Sequence, residues 1–392
     1  MAFEATCDTM ARVIRSAGSF TASEKPYLRH PGENGISKQI NSEGAEEPEI
    51  QPPLRVLWES DKHPGAVVVK STANDDEIDA ARKAGLRRAD SNKLEKLSEE
   101  DLDLLAVFFT VAKVMYISGR LGGRAMAELV SAVETVRRGR EMHTTTIRNE
   151  HAYYCCIAQL MSLPDTAHHT NVSTEKDDRS NFTSMPTTNK PLVVCGDSHS
   201  LTSAWRWISV GGRDRQIHPA LVTGLKAWHL REESVFYPKV NFENTVACIP
   251  DHSDVVFLFC EIDCREGILM AVEKDRYEDV DAGIRRSVDI YIRALLNLVR
   301  TRGFNVYVHP VPPVLDPTRS MVMRFNVFLQ EEVKKTEGIL KWLDFAQDLV
   351  QVDPKVPSKL LLREGLALDG THMSPAYLPY LARELSRWIP GS

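Results

Sequence analysis

Residues 191–200 read PLVVCGDSHS. The run 192–195 is apolar and β-branched, as a strand buried on both faces requires. It stops at Gly196, and Asp197, Ser198, His199 and Ser200 follow without a spacer. A polar turn is one reason for such a stop. The other is a nucleophile offered at the carboxyl end of a strand, which then needs a base from elsewhere in the chain.

Downstream, DVVFLFC (254–260) and NVYVHPV (305–311) repeat the strand pattern, and KWLDFAQDLV (341–350) reads as a further strand running into a turn. Helical stretches lie between them, the longest being 280–303 with Gly303 as its stop. This alternation over 191–392 predicts an α/β domain with a doubly wound, flavodoxin-like parallel sheet. Functional groups in such sheets collect at strand carboxyl ends, where Ser198 stands.

Upstream, residues 1–52 are polar and rich in Gly, Ser, Glu and Pro, and read as a flexible tail. Residues 53–165 read as a mainly helical N-terminal domain. Ser98 and Asp101 make a capping box for a helix through Leu104, Leu105, Phe108, Val111, Ala112 and Met115. A second helix over 125–138 ends at Gly139, and Thr144–Thr146 cap a third through Tyr153, Ile157 and Leu160. Residues 166–190 are a second polar linker, in which His168 and His169 read as solvated.

The 392 residues are 43% hydrophobic and 26% charged, a globular composition with room for more than one domain. A formal net charge of -6 argues against nucleic acid as the partner. Seven cysteines form no Cys-x-x-Cys pair, and Cys195, Cys260 and Cys264 read as buried thiols in strand-like runs. No cluster of His, Asp and Glu has metal-ligand spacing, so neither metal nor cofactor is expected. The N-terminus lacks the apolar core of a secretory signal. Its arginines and hydroxyl residues are in keeping with a transit peptide, while Glu4 and Asp8 oppose one. The run 104–117 is too short to span a bilayer and reads as a buried helix. The sequons at Asn171 and Asn181 read as chance, and the expected location is the cytoplasm.

A base for Ser198 stands near the far end of the chain. Asp369 and His372 are three apart across a Gly-Thr turn, just before a closing amphipathic helix. One loop can then carry the imidazole and the carboxylate that orients it. Gly196-Asp197-Ser198 after a first strand, with Asp369-Gly-Thr-His372 before a last helix, resembles the SGNH (GDSL-type) hydrolases over about 191–392. The resemblance implies a Ser198–His372–Asp369 triad, acyl-enzyme chemistry on an ester, and an oxyanion hole built from the Ser198 amide and Gly224. The family's third motif is Gly-x-Asn-Asp, and here it reads Cys260, Glu261, Ile262, Asp263. Isoleucine cannot donate the hydrogen bond that the asparagine supplies.

Arg265 is the candidate substitute donor and, with His199, a candidate substrate contact; pairing of Arg265 with Glu261 or Glu266 is the alternative. Asp263 is expected to support its loop. His309 reads as packed, and Trp205, Trp207 and Trp228 divide between core packing and substrate contact. The expectation is a serine esterase acting on a small-molecule, glycan or lipid ester. Acyl transfer by the same triad and a non-catalytic binding module stay open, as does a protein partner or dimerisation through the helical domain.

Overall fold

The computed structural model describes residues 54–58, 66–70, 97–121, 124–163 and 191–390. The chain divides into two compact units, Met1–Ser162 and Leu163–Ser392. The expected tail 1–52 and linker 166–190 lie outside the described residues.

The N-terminal unit departs from the helical expectation at its start. Strands β1 (Leu54–Trp58) and β2 (Ala66–Lys70) pair antiparallel, Leu54 opposite Lys70. Each is a five-residue run, too short for hydrophobic periodicity to tell strand from helix. Helices α1 (Glu99–Ile117), α2 (Arg124–Arg137) and α3 (Arg148–Ser162) follow. The capping box is formed: the Asp101 N–H donates to Ser98 Oγ at 3.1 Å, and the Ser98 N–H to Asp101 Oδ2 at 3.2 Å. The apolar run of α1 is buried on one side only; Leu105, Phe108, Phe109, Ala112 and Met115 are covered, while Leu104, Val107 and Val114 are exposed. Residues 142–144 form a 3₁₀ turn, and Thr145 Oγ1 donates back to the Met142 carbonyl, so α3 begins later than its expected threonine cap. Arg137 grips Glu134 with two hydrogen bonds of 2.7 and 2.8 Å, and the Tyr154 hydroxyl donates to the same carboxylate at 2.9 Å. All three are buried, which a charged pair tolerates only when its hydrogen bonds are satisfied in this way.

The C-terminal unit is α/β. Its strands are β3 (Leu192–Gly196), β4 (Trp207–Val210), β5 (Arg213–Leu221), β6 (Asp254–Leu258), β7 (Asn305–Val308) and β8 (Leu340–Trp342), and they form one sheet in the order β4-β5-β3-β6-β7-β8. Only the β4–β5 pairing is antiparallel. The parallel strands therefore reverse direction of progress between β3 and β6, as in a doubly wound sheet. A separate hairpin joins β9 (Val350–Val352) and β10 (Leu360–Leu362).

Period-two alternation divides the core between the two faces of the sheet. Val193, Cys195, Val255, Phe257, Val306 and Val308 pack with α4 (Tyr237–Ala247), α6 (Val280–Arg302) and α7 (Arg319–Lys334). Leu192, Val194, Val256, Leu258 and Tyr307 pack with α8 (Leu378–Trp388). Helix α6 starts where Asp279 accepts the Ala282 N–H and stops at Gly303, whose φ of +62° suits glycine. Helix α5 (Ile268–Glu273) is a short continuation of the turn after β6.

Gly196 is where β3 hands over to the Ser198 turn. Its carbonyl accepts the Val222 N–H at 2.8 Å, and a Cβ built on it would lie 2.6 Å from the Leu258 carbonyl oxygen. Backbone on the neighbouring strand cannot step aside as a side-chain tip can. Gly196→Ala is expected to destabilise the protein by about 1–3 kcal/mol, seen as a lower urea midpoint at an unchanged m-value. A midpoint equal to wild type would show that β3 and β6 separate freely there.

Candidate active site

The carboxyl ends of β3 and β6 lie side by side at the switch point, where an open α/β sheet gathers its functional groups. Ser198 opens a 3₁₀ turn, Ser198–Ser203. Asp197 caps that turn: its Oδ1 accepts the His199 N–H at 3.0 Å, and its carbonyl accepts the Ser200 hydroxyl at 2.7 Å. Thr202 Oγ1 donates to the Met373 carbonyl at 3.0 Å and so ties this turn to the loop before α8.

That loop is built around one carboxylate. Asp369 Oδ1 accepts the N–H groups of Thr371 and His372 at 2.7 and 2.6 Å, and the Leu368 N–H donates to the His372 carbonyl at 2.9 Å. Asp369 Oδ2 is then left for the imidazole, 2.8 Å from His372 Nδ1. His372 Nε2 is 2.9 Å from Ser198 Oγ. An ionised carboxylate only accepts, so the proton sits on Nδ1 and the Nε2 lone pair faces the serine hydroxyl. Burial opposes the charge on Asp369, but the hydrogen bonds from His372 and Thr371 outweigh it and hold the carboxyl below its ordinary value. The three expected triad residues are thus brought together in a hydroxyl–imidazole–carboxylate chain.

The remaining expected residues are spread around this chain. Gly224 lies three residues past Leu221, the end of β5, in the left-handed region, φ +68°. Asp263 Oδ2 accepts the Ala227 N–H at 2.9 Å, bracing the segment that follows Gly224. Burial pushes its carboxyl up to about 7. Arg265 is paired: Nη2 is 3.5 Å from Glu261 Oε2, and Nε is 3.8 Å from Glu266 Oε1. It would have to leave both carboxylates to serve as an oxyanion donor. The His199 backbone N–H is used by Asp197, and its ring lies buried against His372 with centroids 5.1 Å apart. His309 is packed against the edges of Phe345 and Tyr377, and burial pushes it down to about 4. Trp205 lies tilted against His218, Trp207 opens β4, and the Arg231 guanidinium covers Trp228 at 3.4 Å; the three form no shared platform. Cys195, Cys260 and Cys264 are free, buried thiols whose burial raises their pKa values. Among the described residues of the C-terminal unit, no three His, Cys, Asp or Glu side chains converge as metal ligands.

Glu261 is the residue that the sequence pattern placed only as a partner for Arg265. It is buried, and its Oε2 stands 3.7 Å from His199 Nε2. Burial opposes its charge, but His199, Arg265 and His372 together hold the carboxyl below the usual value. Cys260, just before it, has φ +80°, a left-handed conformation that residues with a Cβ seldom adopt. The available signal was position: Glu261 follows an apolar strand that neighbours β3.

Compared with known protein families and with curated proteins, the sequence matches none of them. Among the described residues, no helix is long and apolar enough to cross a membrane.

The lowered Asp369 carboxyl has a stability consequence with a definite sign. A folded-state value below the unfolded one gives stability that is complete above the unfolded value, about 4, and lost as pH falls through the folded value. Urea denaturation from pH 6 down to pH 2 should show wild type falling more steeply than Asp369→Asn below about pH 4. Parallel curves would mean that the Asp369–His372 contact does not hold in solution.

Proposed function

We propose that the C-terminal unit is a serine esterase of the SGNH type. The observation that carries the proposal is the continuous hydrogen-bonded chain Ser198–His372–Asp369 at the carboxyl edge of a doubly wound sheet. The order of motifs, nucleophile after the first strand of the sheet and base before the last helix, supports the family assignment.

In the proposed reaction His372 Nε2 takes the Ser198 proton as Oγ bonds to the ester carbonyl carbon. The Ser198 and Gly224 amides face the oxygen that gains charge, and Asp369 stabilises the imidazolium. Collapse breaks the bond to the alcohol, which leaves with the proton from His372. Water, deprotonated by the same imidazole, then releases the acid from Ser198. Ile262 removes a side-chain donor, a loss worth about a hundred- to thousand-fold elsewhere, so the enzyme is expected to turn over slowly. The same residue favours the second reading, a binding module that retains the fold. A small-molecule, glycan or lipid ester fits the chemistry, because rim residues rather than the triad choose among them.

Labelling with a fluorophosphonate separates the two readings. Wild type should be labelled, Ser198→Ala should show none, and His372→Ala should lose labelling rate by about 10⁴-fold or more. Well-folded wild type that stays unlabelled across pH 6–9 would leave the binding module.

A further inference from the structure

The surroundings of His372 contain more chemistry than a triad uses. Its Nδ1 side is taken by Asp369, and beside its ring stands a second imidazole, His199, which faces a second buried carboxylate, Glu261. We infer that Glu261 is a positioning residue of this site, whose carboxylate, set behind the His199 ring, helps to stabilise the imidazolium that forms on His372 when Ser198 attacks. The inference rests on the serine-esterase reading and adds to it a second negative charge.

Three observations carry it. First, Glu261 stands three residues past the end of β6 and Asp369 in the loop before α8, so two separate segments deliver carboxylates to one imidazole neighbourhood. Second, Glu261 is only 4% exposed, so its field reaches His372 with little screening by solvent or salt. An apolar side chain would fill such a position at no electrostatic cost, and buried charges kept at strand ends of α/β sheets gather at working sites. Third, the ionised form is favoured despite burial. The groups that face Glu261 are His199, Arg265 and His372, with Asp197 and the Cys264 thiol adding repulsion; His309 interacts in turn with His199. Arg265, a third exposed, partly neutralises Glu261 and so moderates its effect on His372.

The neutral imidazole is the active base, so labelling rate rises with pH as His372 loses its proton. A negative charge nearby holds that proton and moves the rise to higher pH. The pH dependence of fluorophosphonate labelling should therefore respond in opposite directions to two variants of the full chain. Glu261→Gln should move the midpoint down by about half a pH unit or more, with a plateau rate reduced about 3- to 10-fold. Arg265→Gln, which unmasks Glu261, should move the midpoint up. Wild-type profiles in both variants, or a midpoint shift of the opposite sign in either, would overturn the inference while leaving the esterase intact. If Glu261→Gln does not fold, Glu261→Met, which fills the same space without the charge, takes its place and should give the same downward shift. Wild type that never labels would instead fail the esterase reading and take this one with it.

Discussion

A hydroxyl, an imidazole and a carboxylate act in concert only when two hydrogen bonds line up at once, and here the hydroxyl and imidazole come from loops 174 residues apart. The rest of the C-terminal unit can be understood as the means of meeting that requirement. Strand β3 is fixed by parallel partners on both sides, so Ser198 emerges from the most constrained part of the sheet. Helix α8 packs against one face of the same sheet, and Thr202 fastens the two loops directly. Asp369 spends one oxygen on the backbone of its own loop, which leaves the other aimed at His372.

Four acidic side chains lie near this edge, and the fold treats each differently. Asp197 caps the Ser198 turn and is pushed toward its neutral form, chiefly by burial. Asp263 is driven the same way and holds the Ala227 amide. Asp369 and Glu261 are instead kept ionised by imidazoles, backbone amides or a guanidinium. Identical chemical groups thus separate into struts and charges according to which donors surround them. The sequence alone shows the acids, but the donors that sort them come from other loops.

What could be read in advance follows the same division between local and distant causes. The buried parallel strands were legible because β-branched runs such as Leu192–Gly196 state their environment in their own composition. Ser198, Asp369 and His372 were legible because each sits in a short motif beside an element boundary. Strand β5 begins at Arg213, earlier than its apolar stretch suggests, because its first residues pair with the edge strand β4 and face solvent. The hairpins β1–β2 and β9–β10 were missed since such brief strands carry no periodic signal. The contact of Glu261 with His199 was not legible, because His199 arrives from a different strand.

The left-handed bend at Cys260 links two histories. A residue with a Cβ in that conformation costs about 1–2 kcal/mol relative to glycine, and the bend sets the direction in which the chain presents the next residue, Glu261. Backbone shape at one position and charge at the next are therefore physically coupled. A lineage that relaxed the bend would be free to lose the carboxylate, and one that lost the carboxylate would have less reason to keep the strain. Divergence at this edge of the sheet should move in two-residue steps.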